Sequence, residues 1–332
     1  MTTWLKAQYT RRDPDPQSVI EAVPFERPVL APGQALVAVL AAPINPSDVL
    51  TLTGEYGILP PLPAVGGNEG VGRVVELGPD TQGPAVGQTV LLPAGIGTWA
   101  SHVLAPVAKL VPLPNGADPQ QLAMLTVNPP TASLLLGNFV DLKPGDWVVQ
   151  NAANSGVGSY LVQLARQRGL KTVNIVRRES AVAGVETLGA DVVLVDGEDL
   201  AARVKAVTHG ASIKLGVDSV GGSATLRLAA CLGEGSIVVN YGALSGDACK
   251  VSPRELVFRD ITLKGFWLAR WFRITPAAQQ HALLAELAGL IAAGKLKAPI
   301  QATYDLMQIK QAVAAAAAGE RQGKIMIVPR HE

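Results

Sequence analysis

The sequence predicts an α/β protein in which a doubly wound parallel sheet is joined to a smaller β-rich domain. From Trp147 to Tyr241 short apolar strands alternate with helical patterns, as in a parallel sheet covered on both faces. Ahead of Asp118 the chain is instead rich in Pro and Gly. Its short β-type runs between turns are the pattern of a compact, largely antiparallel barrel or sandwich. At 332 residues the chain exceeds one typical core and suits two domains.

The β-type runs of the first part are Gln34–Ala41, Gly70–Leu77, Gln88–Leu92 and Ala108–Val111, separated by turns such as Gly83-Pro84-Ala85-Val86-Gly87. Gln120–Thr126 and Thr131–Phe139 are helical patterns, after which Lys143-Pro144-Gly145-Asp146 turns the chain into an apolar strand. Strands are then expected over Trp147–Asn151, Thr172–Val176, Val192–Val195, Ile213–Ser219 and Ser236–Tyr241. The helices between them are Gly158–Arg168, Ala181–Leu188, Asp199–Val207 and Ala224–Cys231. Right-handed crossovers wind these onto both faces of one sheet. A further strand, Ile261–Leu268, precedes a long helix, Thr275–Ala293, with Pro276 in its first turn and Gly294 as its stop. The tail closes with the Ala-rich helix Met307–Ala318 and the apolar strand Lys324–Val328.

Composition removes several function classes. A net charge of +1 gathers neither nucleic acid nor an anionic membrane, and the arginine pairs Arg11-Arg12 and Arg177-Arg178 are too short to change that. Apolar stretches such as Leu122–Leu136 are broken by Asn and Pro, and none reaches membrane-spanning length. Two cysteines, Cys231 and Cys249, supply neither a disulfide framework nor a four-thiolate zinc site. The start of the chain lacks the basic-then-apolar pattern of a signal peptide, so a cytoplasmic protein is expected.

The strongest chemical signal is Val148-Val149-Gln150-Asn151-Ala152-Ala153-Asn154-Ser155-Gly156-Val157-Gly158. A buried strand runs into a small-residue turn that opens a helix, where free N–H groups and the helix dipole favour a pyrophosphate. The usual G-x-G-x-x-G spacing is incomplete, since Ala153 and Ser155 replace glycines while Gly156 and Gly158 remain. Its setting within a strand–helix–strand run restores the signal, and Asn154, Ser155, Gly156, Val157 and Gly158 are the candidate cradle. An NAD site places a carboxylate at the end of the second strand, but here Arg177-Arg178 follows Val176. Guanidinium forks grip a 2′-phosphate, so NADPH is the expected cofactor, with Glu179 as the dissenting neighbour. Tyr241, Gly242 and Ala243, after a later strand, are candidates to flank ribose and nicotinamide, and Gly221-Gly222 to let backbone approach the ligand. Ordinary turn chemistry accounts for these glycines equally well.

The layout resembles the medium-chain dehydrogenase/reductase superfamily, and within it the 2-enoyl thioester reductases of the mitochondrial fatty-acid synthesis type, with the quinone oxidoreductases next. The strings that carry it are Ile44-Asn45-Pro46-Ser47-Asp48, Gly54-Glu55-Tyr56-Gly57-Ile58-Leu59-Pro60, Leu62-Pro63-Ala64-Val65-Gly66-Gly67-Asn68-Glu69-Gly70, Gly97-Thr98-Trp99, Val127-Asn128-Pro129, the nucleotide turn itself and Gly265-Phe266-Trp267-Leu268. The resemblance implies a GroES-like β-rich catalytic domain over residues 1–120 and 265–332, and a Rossmann nucleotide-binding domain over 121–264. It also implies a homodimer paired through the strand before Leu268. Zinc alcohol dehydrogenases place a metal-binding Cys and His where this chain has Asn45 and Asn68, and neutral amides are poor zinc ligands. No bound metal is expected, and His102 is expected to be structural.

Without a metal, hydrogen-bond donors must stabilise the enolate that forms as hydride reaches the β-carbon. The resemblance assigns Tyr56 as donor near the thioester, a phenol that stays neutral at working pH; a packed turn tyrosine is the plain alternative. Asn45 is implied as a second catalytic donor, although it also fits a turn before Pro46. Asn128, Phe266, Trp267, Leu268 and Lys324 are further candidates around the cofactor or acyl pocket. Three functions follow: NADPH-dependent reduction of a trans-2-enoyl thioester, reduction of a quinone by NADPH, or a non-catalytic NADPH-binding protein like the lens crystallins.

Overall fold

The computed structural model describes residues 4–331; Met1–Thr3 and Glu332, within the domain bounds expected above, lie outside the described residues. The chain divides into two compact units, Met1–Val127 with Leu284–Glu332, and Asn128–Leu283.

Unit 1 is built around one long strand, Gln34–Ile44, nearly all of it buried, which explains its almost unbroken apolar run. It is central to a seven-stranded sheet that runs Ile300–Tyr304, Lys324–Ile327, Gln34–Ile44, Val71–Leu77, Thr89–Leu91, Val111–Pro112, with His102–Pro106 also paired to Gln34–Ile44. A three-stranded sheet orders Ile20–Phe25, Trp4–Tyr9 and Ala64–Val65. The core between them includes Tyr9, Ile20, Ile44, Leu52, Trp99 and Ile325. Five of these strands, Trp4–Tyr9, Ile20–Phe25, Ala64–Val65, His102–Pro106 and Ile300–Tyr304, differ from the sequence reading, which predicts none of them. In Trp4–Tyr9, Ile20–Phe25 and His102–Pro106 charged residues and Pro interrupt the alternation, so partners elsewhere in the chain define them. Ala108–Val111, expected as a strand, is a 3-10 turn over Val107–Lys109 followed by the short strand Val111–Pro112.

Unit 2 is a parallel six-stranded sheet in the order Val192–Val195, Lys171–Val176, Trp147–Gln150, Leu215–Asp218, Ile237–Asn240, Thr262–Gly265. In chain order this reads 3-2-1-4-5-6, the doubly wound arrangement with its switch between the first and fourth strands. The turn into the first strand is closed by Asp146 N–H to Lys143 O at 2.9 Å and Lys143 N–H to Asp146 Oδ2 at 2.9 Å, with Gly145 at φ +92°. The helix after it, Gly156–Gln167, begins two residues before the expected start.

The sequence closed the nucleotide unit at residue 264. The structure instead carries unit 1 on to Val127 and returns to it at Leu284. Gln121 belongs with the tail because its amide exchanges two bonds with Ala298, at 3.1 and 2.9 Å. The expected strand Ile261–Leu268 ends at Gly265, and Leu268–Ile274 is helical, with Trp267 as its N-cap. The long helix spans Ala277–Ala292.

Candidate active site

In unit 2 the candidate residues, Asn128 apart, follow the carboxyl ends of adjacent strands. Asn154 to Gly158 follow Gln150, Arg177 and Arg178 follow Val176, Tyr241 to Ala243 follow Asn240, and Phe266 to Leu268 follow Gly265. This edge of a doubly wound sheet is where its ligands bind. Ser155 is the N-cap of Gly156–Gln167, its Oγ accepting the Gly158 N–H at 3.1 Å, which leaves the Gly156 and Val157 N–H groups at the helix mouth. A Cβ on Gly158 would lie 2.5 Å from Ala153 O and 2.8 Å from Ala152 O, so only glycine lets the helix approach its own incoming turn. Ala152 accepts a positive φ, +47°, to make that turn. A twelve-residue helix start shaped in this way fits a dinucleotide pyrophosphate. Arg177 is exposed and Arg178 half-buried beside it, both directly after the strand Lys171–Val176.

The strand ends are tied from below by Asp218, which the sequence did not single out. Its Oδ1 accepts Asn151 Nδ2 at 2.6 Å and the Val220 and Gly221 N–H groups at 3.0 and 3.1 Å; its Oδ2 accepts Thr225 Oγ1 at 2.6 Å and Asn240 Nδ2 at 3.0 Å. Burial raises its pKa, but these donors outweigh burial and hold it below the usual carboxylate range. One carboxylate thereby fastens the ends of three neighbouring strands on both sides of the switch. The signal in sequence was an acidic residue closing an apolar strand before Gly221-Gly222. Gly221, at φ +82°, would meet Asp247 O at 2.8 Å if it carried a Cβ, so its glycine serves the turn first. Tyr241 has a buried hydroxyl facing those of Ser219 and Ser155, and burial raises its pKa above the ordinary phenol. Phe266 packs edge-on against Phe139, ring centres 5.9 Å apart, and Trp267 is 38% exposed.

In unit 1 the structure brings Asn45 and Lys324 together, as the strand register requires. Ile325 pairs with Ile44 in antiparallel sense, so Lys324 falls beside Asn45, and its Nζ donates to Asn45 Oδ1. Asn45 Nδ2 in turn donates to Glu69 Oε1 at 2.6 Å. Asp48 lies alongside: its Oδ2 accepts the Asn45 N–H at 2.7 Å and its Oδ1 accepts Asn68 Nδ2 at 2.7 Å and N–H at 3.1 Å. All but the half-buried Asn68 are buried. Burial pushes Asp48 up to about 6, and pulls Lys324 down to about 8 against the attraction of Glu69. Asn45 was expected as a donor toward the acceptor; what the structure gives it is an amide held at both ends, between Glu69 and Lys324. Glu69 and Asp48 lie in the same two sequence strings as Asn68 and Asn45, and only tertiary pairing joins them.

Asn45 caps the helix Pro46–Thr53, and Tyr56 lies just beyond its other end. Gly54 stops the helix at φ +89°, and the N–H groups of Gly54, Glu55 and Tyr56 all reach Leu50 O, at 3.0, 2.9 and 3.2 Å. Arg12 backs this turn, packing against Gly54 and donating to Pro60 O. Tyr56 itself is half-buried, so one rigid helix spaces the two candidate donors.

The remaining expectations concern His102, the cysteines and membranes. His102 stacks on Trp4 at 4.0 Å, and burial with neighbouring His331 and Arg27 pushes its pKa down to about 4, a neutral structural ring. Cys231 and Cys249 are free thiols. Among the described residues no helix is long and apolar enough to cross a membrane.

Residues 31–115 match the alcohol dehydrogenase GroES-like domain, and residues 156–284 match the family described as zinc-binding dehydrogenase. A mitochondrial enoyl-[acyl-carrier-protein] reductase of Caenorhabditis elegans is 41% identical over 270 residues, covering 80% of this chain and 77% of its own. Among solved structures, the Etr1p/NADP/crotonyl-CoA complex superposes with a TM-score of 0.89 at 25% identity, covering 99% of this chain and 100% of that one. A candidate NADPH:quinone reductase of Bacillus thuringiensis superposes with a TM-score of 0.89 at 26% identity, covering 99% of each chain.

Proposed function

Because this chain belongs to the enoyl-[acyl-carrier-protein] reductases of the medium-chain dehydrogenase/reductase superfamily, we propose that it reduces the conjugated double bond of a trans-2-enoyl thioester with NADPH, without zinc. The observation that carries this is the Ser155-capped helix start at the switch of the sheet, with Arg177 and Arg178 closing the next strand. NADPH, when bound, supplies the hydride. The Gly156 and Val157 N–H groups would hold its pyrophosphate, and the two arginines its 2′-phosphate. As negative charge grows on the thioester oxygen, the Tyr56 hydroxyl would donate to it from a turn whose backbone is fixed at the end of a capped helix. The zinc-free reading is supported by the donor set, since Asn45 and Asn68 are amides already engaged by Glu69, Lys324 and Asp48.

The same proposal extends to assembly and compartment. The last strand of the unit 2 sheet, Thr262–Gly265, is an exposed edge, and the stretch around it exposes Val257, Phe258, Leu263, Trp267 and Ile274. An apolar edge of this kind supports a homodimer paired through it. A cytoplasmic protein is supported by the two free thiols.

The likeness to an NADPH:quinone reductase favours quinones as the second reading. The test is NADPH oxidation with crotonyl-CoA beside a simple quinone, for the native chain and Tyr56→Phe. Turnover on crotonyl-CoA is expected to fall about a hundredfold in the variant, with NADPH affinity within about twofold. Turnover on the quinone alone would replace the thioester reading, and no turnover on either would favour a non-catalytic NADPH-binding protein.

A further inference from the structure

Glu69 is 0% exposed, and both of its carboxylate oxygens face groups that only donate. Oε1 accepts Asn45 Nδ2 at 2.6 Å and Oε2 accepts the Val127 N–H at 2.9 Å, while Thr98 Oγ1 holds the Glu69 carbonyl at 2.7 Å. The Asn45 amide has no better orientation, because its oxygen already takes Lys324 Nζ. Val127 is the last residue before the chain passes into unit 2, and Asn128, the candidate cofactor contact, follows it directly.

We infer that Glu69, as a carboxylate, is a positioning residue: one side chain fixes the Asn45 amide and the Val127 backbone, so that Asn45 is set for hydride transfer. This rests on the reductase reading above. A proton on Glu69 would turn one of its two acceptors into a donor facing a donor, and a buried pair of that kind separates. Glu69→Gln makes the same change permanently, at constant shape.

The groups that face Glu69 are Asp48, from the helix Pro46–Thr53, and Lys324, from the strand Lys324–Ile327, with Arg321 acting on Lys324. Burial pushes Glu69 up to about 7, while Lys324 and Asn45 oppose the rise and Asp48 adds to it. The sign follows from a folded pKa above the unfolded value of about 4.3: the folded chain binds this proton more tightly, so acidification through that window stabilises the fold. The carboxylate that orients Asn45 and Val127 is lost over the same window. Stability and turnover therefore move in opposite directions, which a merely structural carboxylate would not produce.

The experiment follows NADPH oxidation with crotonyl-CoA, as a function of pH, in the native chain, Glu69→Gln and Glu69→Asp, with melting temperatures alongside. Native turnover is expected to fall as pH drops through about 7. Glu69→Gln is expected to be slower by about tenfold or more at alkaline pH and flat across the same range, with a melting temperature at or above the native one. Glu69→Asp, which keeps two acceptors, is expected to retain an acid limb at reduced turnover. Native-like turnover in Glu69→Gln, an acid limb that survives in it, or a flat profile in Glu69→Asp would each overturn the positioning role alone. A native chain that binds NADPH yet turns over no crotonyl-CoA would remove the reductase reading and this role with it.

Discussion

Ser155 and Gly158 illustrate how much of a cofactor site is settled by single residues. Ser155 satisfies one N–H of the helix start with its own hydroxyl, and the N–H groups of Gly156 and Val157 at the helix mouth are those proposed for the pyrophosphate. Arg177 and Arg178 are a different case, since the role proposed for them rests on charge and fork geometry. Replacing both with Ala is expected to weaken NADPH binding about tenfold or more while leaving NADH nearly unchanged, as measured by fluorescence titration of each. Equal losses for the two cofactors would take the arginines out of phosphate recognition. Both features were legible in the sequence because each depends on immediate neighbours along the chain. Asn45 was not fully legible: its position before Pro46 announced a helix cap, but nothing local announced that Glu69 and Lys324 hold its amide.

Elements bring these residues to their places through termini and register. The helix Pro46–Thr53 carries Asn45 at one end and the Tyr56 turn at the other, so its length sets their spacing. The strand Lys324–Ile327 delivers a lysine from the far end of the chain because Ile325 pairs with Ile44. In unit 2 the turn at Ala152 and Ala153 and the helix Gly156–Gln167 meet so closely that Gly158 has no room for a methyl group. Gly158→Ala is therefore expected to cost about 1–3 kcal/mol of stability and to weaken NADPH binding, because backbone, not a flexible side chain, must give way. Differential scanning calorimetry with and without NADPH measures both; an unchanged melting temperature would refute the close-packing account. Strand ends also explain Asp218, whose accepted bonds come from residues far apart in the chain and could not be foreseen from any one of them.

At the scale of the molecule the consequence is assembly. Thr262 N–H bonds Ser236 O and Phe266 N–H bonds Asn240 O, so by the alternation of strand backbone the Leu263 N–H points away from the sheet, toward the open edge. Leu263→Pro removes that outward donor while sparing the inward ones. It is expected to shift the solution mass from two chains to one in analytical ultracentrifugation, with the far-ultraviolet circular dichroism of the native fold. A two-chain mass that persists would take this edge out of the interface.

The sequence by itself determined the alternation of strands and helices, the doubly wound class, the glycine-bearing helix start after the first strand and the arginine pair after the second. It did so because each is written in residues a few positions apart, through periodicity, capping and glycine spacing. Tertiary structure alone decided the strands whose alternation is broken, the point at Leu284 where the chain returns to unit 1, and the buried set of Asn45, Asp48, Glu69 and Lys324. The partners in that set lie as far as 279 positions apart. Such pairs form only when sheet register brings them together, and buried polar groups take their meaning from the partner each one finds.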